Sequence, residues 1–120
     1  MRYQSTPGYD LAPRTQFRDL FARRFGSVGI CGGHGVFEPG ASLPCHTHGY
    51  DESITIVEGT ATCRAAGRRH VLQDLDTACV PEGIPHRFIN TGETPMAMIW
   101  VYAGDEPDRT IVDLNCCDQD

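Results

Sequence analysis

The sequence predicts an all-β domain, a sandwich or barrel built of hairpins, on three observations. Short runs of strand-forming residues recur from Ser27 onward at close, regular spacing. Thirteen Gly and eight Pro among 120 residues punctuate those runs, as a chain with many turns requires. Within runs such as Glu52–Val57, polar and apolar residues alternate, which gives a strand one buried and one wet face. A chain of this length fits one domain and one core.

Residues 1–26 read as an N-terminal arm, irregular at first because of Pro7, Gly8 and Pro13. Phe17, Leu20, Phe21 and Phe25 then recur at helix-like spacing, which predicts a short helix or turn laid over the barrel mouth. Residues 27–104 carry the strands. Val28–Phe37 is ended by Glu38-Pro39-Gly40, and Ser42–His48 leads into a turn at Gly49-Tyr50-Asp51. Glu52–Val57 is turned back at Glu58-Gly59 to pair with Thr60–Ala65, and Ala66-Gly67 predicts a further hairpin. Arg69–Leu72, Thr77–Val80, His86–Asn90 and Pro95–Tyr102 complete the set. Residues 105–120 form an acidic tail, with Ile111, Val112 and Leu114 as a last strand or extended arm.

The net charge of −6, with every basic side chain an Arg, excludes a polyanion-binding surface, so no nucleic-acid partner is expected. With no Lys in the chain, Schiff-base chemistry and a Lys general base are excluded too. The six Cys contain no CxxC pair. Cys31, Cys63 and Cys79 lie in strand-like runs as small buried hydrophobes, and Cys116 and Cys117 are expected to be exposed. Residues 1–25 are polar and charged without the apolar core of a signal peptide, and no apolar run is long enough to span a membrane. The expectation is a cytoplasmic protein with free thiols and no membrane partner.

Chemistry concentrates in two stretches. His46 and His48 stand two apart on a strand, so both imidazoles project from one face. Glu52 follows a tight turn that returns its carboxylate toward the same point, and His86 adds a third imidazole from a distant run. A single His-x-His pair is more often a pair of hydrogen-bonded residues. Three imidazoles and a carboxylate at matched positions instead suit one divalent transition metal: Fe, Mn, Ni, Zn, Cu or Co. Four protein ligands on one side of a barrel leave positions open for a small molecule, as at a catalytic site.

These stretches resemble the two motifs of the cupin family. Gly40, His46, His48, Glu52 and Gly59 satisfy the first motif, and Pro81, Gly83, His86 and Asn90 match the second. Leu75 stands where the second motif opens with Gly. The resemblance implies a conical antiparallel β-barrel (a double-stranded β-helix, or jelly roll) with the metal near its centre, in a homodimer. In that setting Gly59 and Gly83 serve backbone turns, and Asn90 secures a turn or strand end.

Other residues have two readings each. Tyr50 and Asp51 either position a substrate or cap their turn, and His34 is either an acid or base at the mouth or a plain polar strand residue. Cys45 should point its sulfur away from the metal by strand alternation, and His70 reads as a solvated hairpin residue. Arg64 and Arg87 either meet a carboxylate substrate or serve as surface charge. Met96, Met98, Trp100 and Tyr102 share one strand face, an aromatic wall if that face looks inward. Glu52, Ile54 and Ile56 share another, an apolar floor beneath the ligands.

Two functions are compatible with this set. The first is a metal-dependent enzyme acting on a small oxygenated molecule, either a dioxygenase or an isomerase or lyase of a sugar acid or related carbonyl compound. Glu52 would be its catalytic ligand, with Tyr50 and His34 as candidates beside it. The second is a non-catalytic small-molecule-binding or sensor module.

Overall fold

The computed structural model describes residues 6–27, 29–113 and 115–118. Among the described residues, ten strands form two antiparallel five-stranded sheets, accompanied by a single 3-10 turn and one short α-helix. The strands are β1 (Thr15–Phe21), β2 (Cys31–Phe37), β3 (His46–Thr47), β4 (Glu52–Glu58) and β5 (Thr60–Ala65). They continue with β6 (Arg68–Gln73), β7 (Thr77–Val80), β8 (His86–Asn90), β9 (Met96–Tyr102) and β10 (Thr110–Ile111), and α1 spans Asn115–Asp118. One sheet has the order β1-β2-β9-β4-β7 and the other β10-β3-β8-β5-β6, the two-layered arrangement of a jelly roll.

Alternation explains which faces meet. Ile54 and Ile56 on β4 and Met96, Met98 and Trp100 on β9 are buried, and Phe88 on β8 meets them from the other sheet. The stripe of Met96, Met98 and Trp100 thus looks inward, and the apolar floor of Ile54 and Ile56 lies beside Glu52. Asn90 is 1% exposed, so its amide must be satisfied internally. Its Nδ2 donates to the carbonyls of Phe37 and Thr94, and its Oδ1 accepts from Gly92 N–H. It ties the end of β2 and the β8–β9 turn to the end of β8.

Three expectations need correction. The phenylalanines of residues 17–25 do not build a helix. Residues 15–21 form β1, an edge strand whose Thr15, Phe17 and Asp19 face inward, and only Arg23–Phe25 makes a single 3-10 turn. The competing period of two won because β1 can pair along the whole of β2. The second correction concerns β4 and β5, which do not pair. A bulge between Ile56 and Glu58 and the positive φ of Gly59 carry the chain from one sheet to the other. A Cβ at Gly59 would lie 2.7 Å from the Pro95 carbonyl oxygen, so Gly is required there. The hairpin at Ala66-Gly67 does form, with φ of 49° and 80° as a type I′ turn requires.

The third correction concerns the thiols. Cys117 is buried and forms a disulfide with Cys45, fastening α1 to the residue that precedes His46. Cys31 and Cys63 are free and buried, whereas Cys79 is free and exposed. The side chain of Cys116 lies outside the described residues, as do Val28 and Leu114. The free thiols expected of a cytoplasmic protein are not found at Cys45 and Cys117. Among the described residues, no helix is long and apolar enough to cross a membrane.

Two stability predictions follow from these turns and crosslinks. Asp74 and Leu75 both have positive φ (45° and 73°), and Leu75 is 70% exposed, so an L side chain is strained there with no packing to offset it. Leu75→Gly should raise unfolding free energy by about 1 kcal/mol in urea titrations, and a loss would contradict the strain. The disulfide closes a separation of 72 residues. Reducing it, or substituting Cys117→Ser, should cost about 4 kcal/mol in the chain-entropy account. An unfolding midpoint indifferent to reductant would count against the crosslink.

Candidate metal centre and cavity

The site begins with strand register. β3 and β8 are neighbours, and His46 lies directly opposite His86. His48 follows two residues on, and Glu52 opens β4 on the facing sheet. All four side chains are buried: His46 3%, His48 5%, Glu52 6% and His86 0% exposed. One ligand nitrogen from each of the three histidines falls within 4.8 Å of the others. Glu52 Oε1 lies 2.9 Å from His86 Nε2 and 3.4 Å from His48 Nε2.

The histidines are oriented by backbone carbonyls. His46 Nδ1 bonds to Pro44 O at 2.8 Å, His48 Nδ1 to Asp108 O at 2.6 Å and His86 Nδ1 to Ile84 O at 2.9 Å. A carbonyl oxygen can only accept, so each Nδ1 carries the proton and each neutral ring presents its Nε2 lone pair inward. Glu52 adds carboxylate lone pairs. Acceptors therefore face acceptors across less than 3.5 Å, an arrangement that is repulsive unless a cation lies among them. His48 Nε2 has no hydrogen-bond partner among the described residues, because the Glu52 oxygen is within ion-pair reach but outside hydrogen-bonding geometry. The donor set and this orphaned buried nitrogen fit a transition-metal ion. An additional proton is the alternative in metal-free protein.

Electrostatics agrees with that reading. Burial, with the neighbouring His86, pushes the His46 imidazole down to about 3, so it stays neutral and able to ligate. Burial alone would raise the Glu52 carboxyl. In metal-free protein an additional proton on the Nε2 atoms of His48 and His86 supplies the hydrogen bonds and positive charge that outweigh burial. These hold the group below its ordinary value, the part a bound cation would take over. Burial and the Glu52 charge push the Tyr102 phenol up, keeping it protonated.

A cavity of about 350 Å³ opens onto His46 and Glu52. Its walls are largely apolar, with Leu43, Phe88, Met98 and Trp100 prominent, and Tyr102 lies among them. Tyr50 is not a wall of this cavity. Its ring stacks on His48 and Tyr102 at 5.6 and 4.8 Å between centroids, and its hydroxyl meets the Asp108 backbone. Asp51 accepts from Glu82 N–H at 2.8 Å, which ties its turn to the turn at Pro81-Glu82-Gly83. His34 is half-buried on β2, its neighbours Gly33 and Gly35 facing inward and its own side chain facing the other side of the sheet. The Arg18 charge and burial lower its imidazole, burial contributing more. Arg87 donates to Ser42 Oγ, and Arg64 lies opposite it on β5, neither lining the cavity. His70 is exposed on β6, and Cys45 is turned into the disulfide.

Sequence reasoning missed several lining residues. Tyr9 and Asp19 come from a segment expected to be an arm, and Arg24 and Arg109 come from the stretches flanking the barrel. The Tyr9–Phe17 bridge that brings the arm in has no local sequence signal. Asp108 acts on His48 through its backbone carbonyl, which no side-chain pattern can reveal.

A family model described as a cupin domain matches residues 33–102, more than half of the chain. No curated protein matches the sequence. Among solved structures, the chain is similar to the polyketide cyclase RemF from Streptomyces resistomycificus, with a TM-score of 0.79 and 19% identity over 98% of this chain and 87% of that one. An oxalate oxidase gives a TM-score of 0.80 at 19% identity, covering 93% of this chain. Bacillus subtilis oxalate decarboxylase, described with Mn(II) centres, gives 0.85 at 19%, covering 92% of this chain. The chain spans 62% of that oxidase and 31% of that decarboxylase. At such identity these likenesses concern the fold alone.

The buried histidine and carboxylate predict acid sensitivity. A His held below its ordinary value takes up its proton in the unfolded chain first, so stability falls as pH drops below about 6.5. A lowered Glu adds a loss further into acid, as pH falls through its folded value. Metal-free protein should lose about 2 kcal/mol of unfolding free energy between pH 7.5 and pH 5, at about 1.4 kcal/mol per unit below 6.5. Equal urea midpoints at the two pH values would contradict the buried neutral imidazole.

Proposed function

The chain belongs to the cupin family, and from that premise we propose that it is a mononuclear metal-dependent enzyme acting on a small, oxygenated, largely apolar molecule. The observation that carries this reading is the convergence of three oriented Nε2 atoms and Glu52 at the wall of an aromatic cavity. A site meant only to pin the fold needs no adjoining cavity, and a site for a dicarboxylate as small as oxalate needs no wall of Leu43, Phe88, Met98 and Trp100. The fold shared with a polyketide cyclase over 98% of this chain and 87% of that one is compatible with this reading.

His46, His48, His86 and Glu52 would hold the metal, one divalent ion from the first transition row. When bound it supplies Lewis acidity toward a carbonyl or hydroxyl oxygen and, for a redox-active ion, access to O₂. The chain's own residues do the rest. The apolar walls bind the substrate body and exclude water. Glu52, kept ionised by its neighbours, is placed to take a proton from carbon adjacent to a carbonyl, the C–H electron pair passing into an enolate. Tyr102, kept protonated beside it, can donate a hydrogen bond to that oxygen. Tyr50 acts as a positioning residue, stacked on His48 and fixed to the Asp108 backbone that orients the same imidazole.

Two measurements test this. Protein purified without added metal should carry close to one transition-metal ion per chain by elemental analysis. His86→Ala should reduce that content at least tenfold, and His70→Ala should leave it unchanged. Undiminished metal in His86→Ala would remove the ligand set. For activity, metal-replete protein should exchange the acetyl protons of 2′-hydroxyacetophenone in D₂O, followed by NMR, and Glu52→Gln should not. Oxygen uptake with catechol-type compounds would instead select the dioxygenase branch. Tight ligand binding with neither reaction would leave the binding or sensor module as the better reading.

A further inference from the structure

The cavity carries a second polar region, on different elements from the histidines. Asp19, 4% exposed on β1, accepts from the Tyr9 hydroxyl on one oxygen and from Arg24 Nη2 at 2.8 Å on the other. Its hydrogen-bonding capacity toward the cavity is thereby largely taken up. Arg109, from the strap that leads into β10, lines the same cavity, and its Nη1 is buried with no hydrogen-bond partner among the described residues. Trp100 is 3% exposed, and its Nε1 is likewise buried and without a partner among them. Two buried N–H donors left unspent are costly, and native proteins rarely retain them without a ligand or water to receive.

Charge alone does not set the ligand's sign, because the guanidiniums of Arg24 and Arg109 and the carboxylates of Asp19 and Asp108 all line the cavity, Asp19 being already engaged by Tyr9 and Arg24. The Asp108 carboxylate is 57% exposed and accepts from Gly49 N–H. Both unspent groups are donors, and the one with a formal charge is a guanidinium, whose geometry matches a carboxylate.

We propose that Arg109, with Trp100 as a second donor in the same cavity, forms a carboxylate subsite for a part of the substrate that the histidine centre does not hold. This rests on the metal-enzyme reading and deepens it. The substrate class becomes an aromatic or otherwise apolar body with a chelating oxygen pair and a separate carboxylate. The body would lie against Leu43, Phe88 and Met98, apolar walls of the same cavity.

Two probes that differ only in this group test the subsite on Zn(II)-loaded protein by calorimetry. They are 3-(3,4-dihydroxyphenyl)propionate and its neutral amide. Wild-type protein should bind the acid about tenfold more tightly, which is ~1.4 kcal/mol. Arg109→Met should bring the two affinities to within twofold while leaving amide binding and zinc content unchanged, and Trp100→Phe should reduce the preference for the acid partially. Equal affinities of acid and amide in wild-type protein would overturn the subsite without use of any variant. So would a preference that survives Arg109→Met. If the amide bound equally well with and without Zn(II), the metal reading would fail and the subsite with it. Zinc-dependent amide binding without discrimination would sink the subsite alone.

Discussion

Four hydrogen-bond acceptors converge on one buried point, and much of the molecule is arranged around that constraint. Three imidazoles have their Nδ1 protons committed to the carbonyls of Pro44, Ile84 and Asp108, so their Nε2 lone pairs meet each other and the Glu52 carboxylate. Such a cluster is electrostatically incomplete without a cation. Ile54 and Ile56 beneath it, and the aromatic wall beside it, lower the local dielectric and sharpen that demand.

The arrangement spreads its support over the chain. Pro44 and Ile84 each lie two residues before the imidazole they orient, so local backbone suffices for His46 and His86. His48 instead depends on Asp108, sixty residues away, whose position is fixed by Tyr50, by Gly49 and by the pairing of β10 with β3. The Cys45–Cys117 disulfide and the bond from Val112 N–H to the Cys45 carbonyl hold the same strap down. The C-terminal segment is therefore part of the site, supplying one carbonyl to a histidine and one guanidinium to the cavity. This is one fold serving two parts of one pocket.

How much of this was legible beforehand varies with the range of the interaction. Strand alternation sufficed to set Met96, Met98 and Trp100 on one face of β9, Glu52, Ile54 and Ile56 on one face of β4, and His46 and His48 side by side, because side-chain period is a local property. Adding the distant His86 to the set drew instead on the resemblance to the second cupin motif. The reading of Asn90 as securing a turn or strand end agrees with its bonds, two of which close the β8–β9 turn while the third reaches the end of β2. The sheet crossing at Gly59 was mistaken for a hairpin because a Glu-Gly turn signal does not state which sheet receives the next strand. The phenylalanines of β1 match two periods at once, and only the partner strand decides between them. Cys117 and Arg109 became meaningful through contacts with residues 72 positions away in one case and through a shared cavity in the other, neither of which leaves a spacing pattern.

The central claim is that the protein presets three Nδ1–H imidazoles whose Nε2 atoms, with Glu52, take one cation. Long-range ¹H–¹⁵N correlation NMR of metal-free protein at neutral pH, titrated with Zn(II), measures this at the atoms concerned. The account predicts protonated Nδ1 in His46, His48 and His86, and Nε2 shifts in all three that saturate together at one equivalent, while His34 and His70 stay put. Protonated Nε2 with bare Nδ1 in these rings, or zinc-induced shifts confined to His34 or His70, would contradict it.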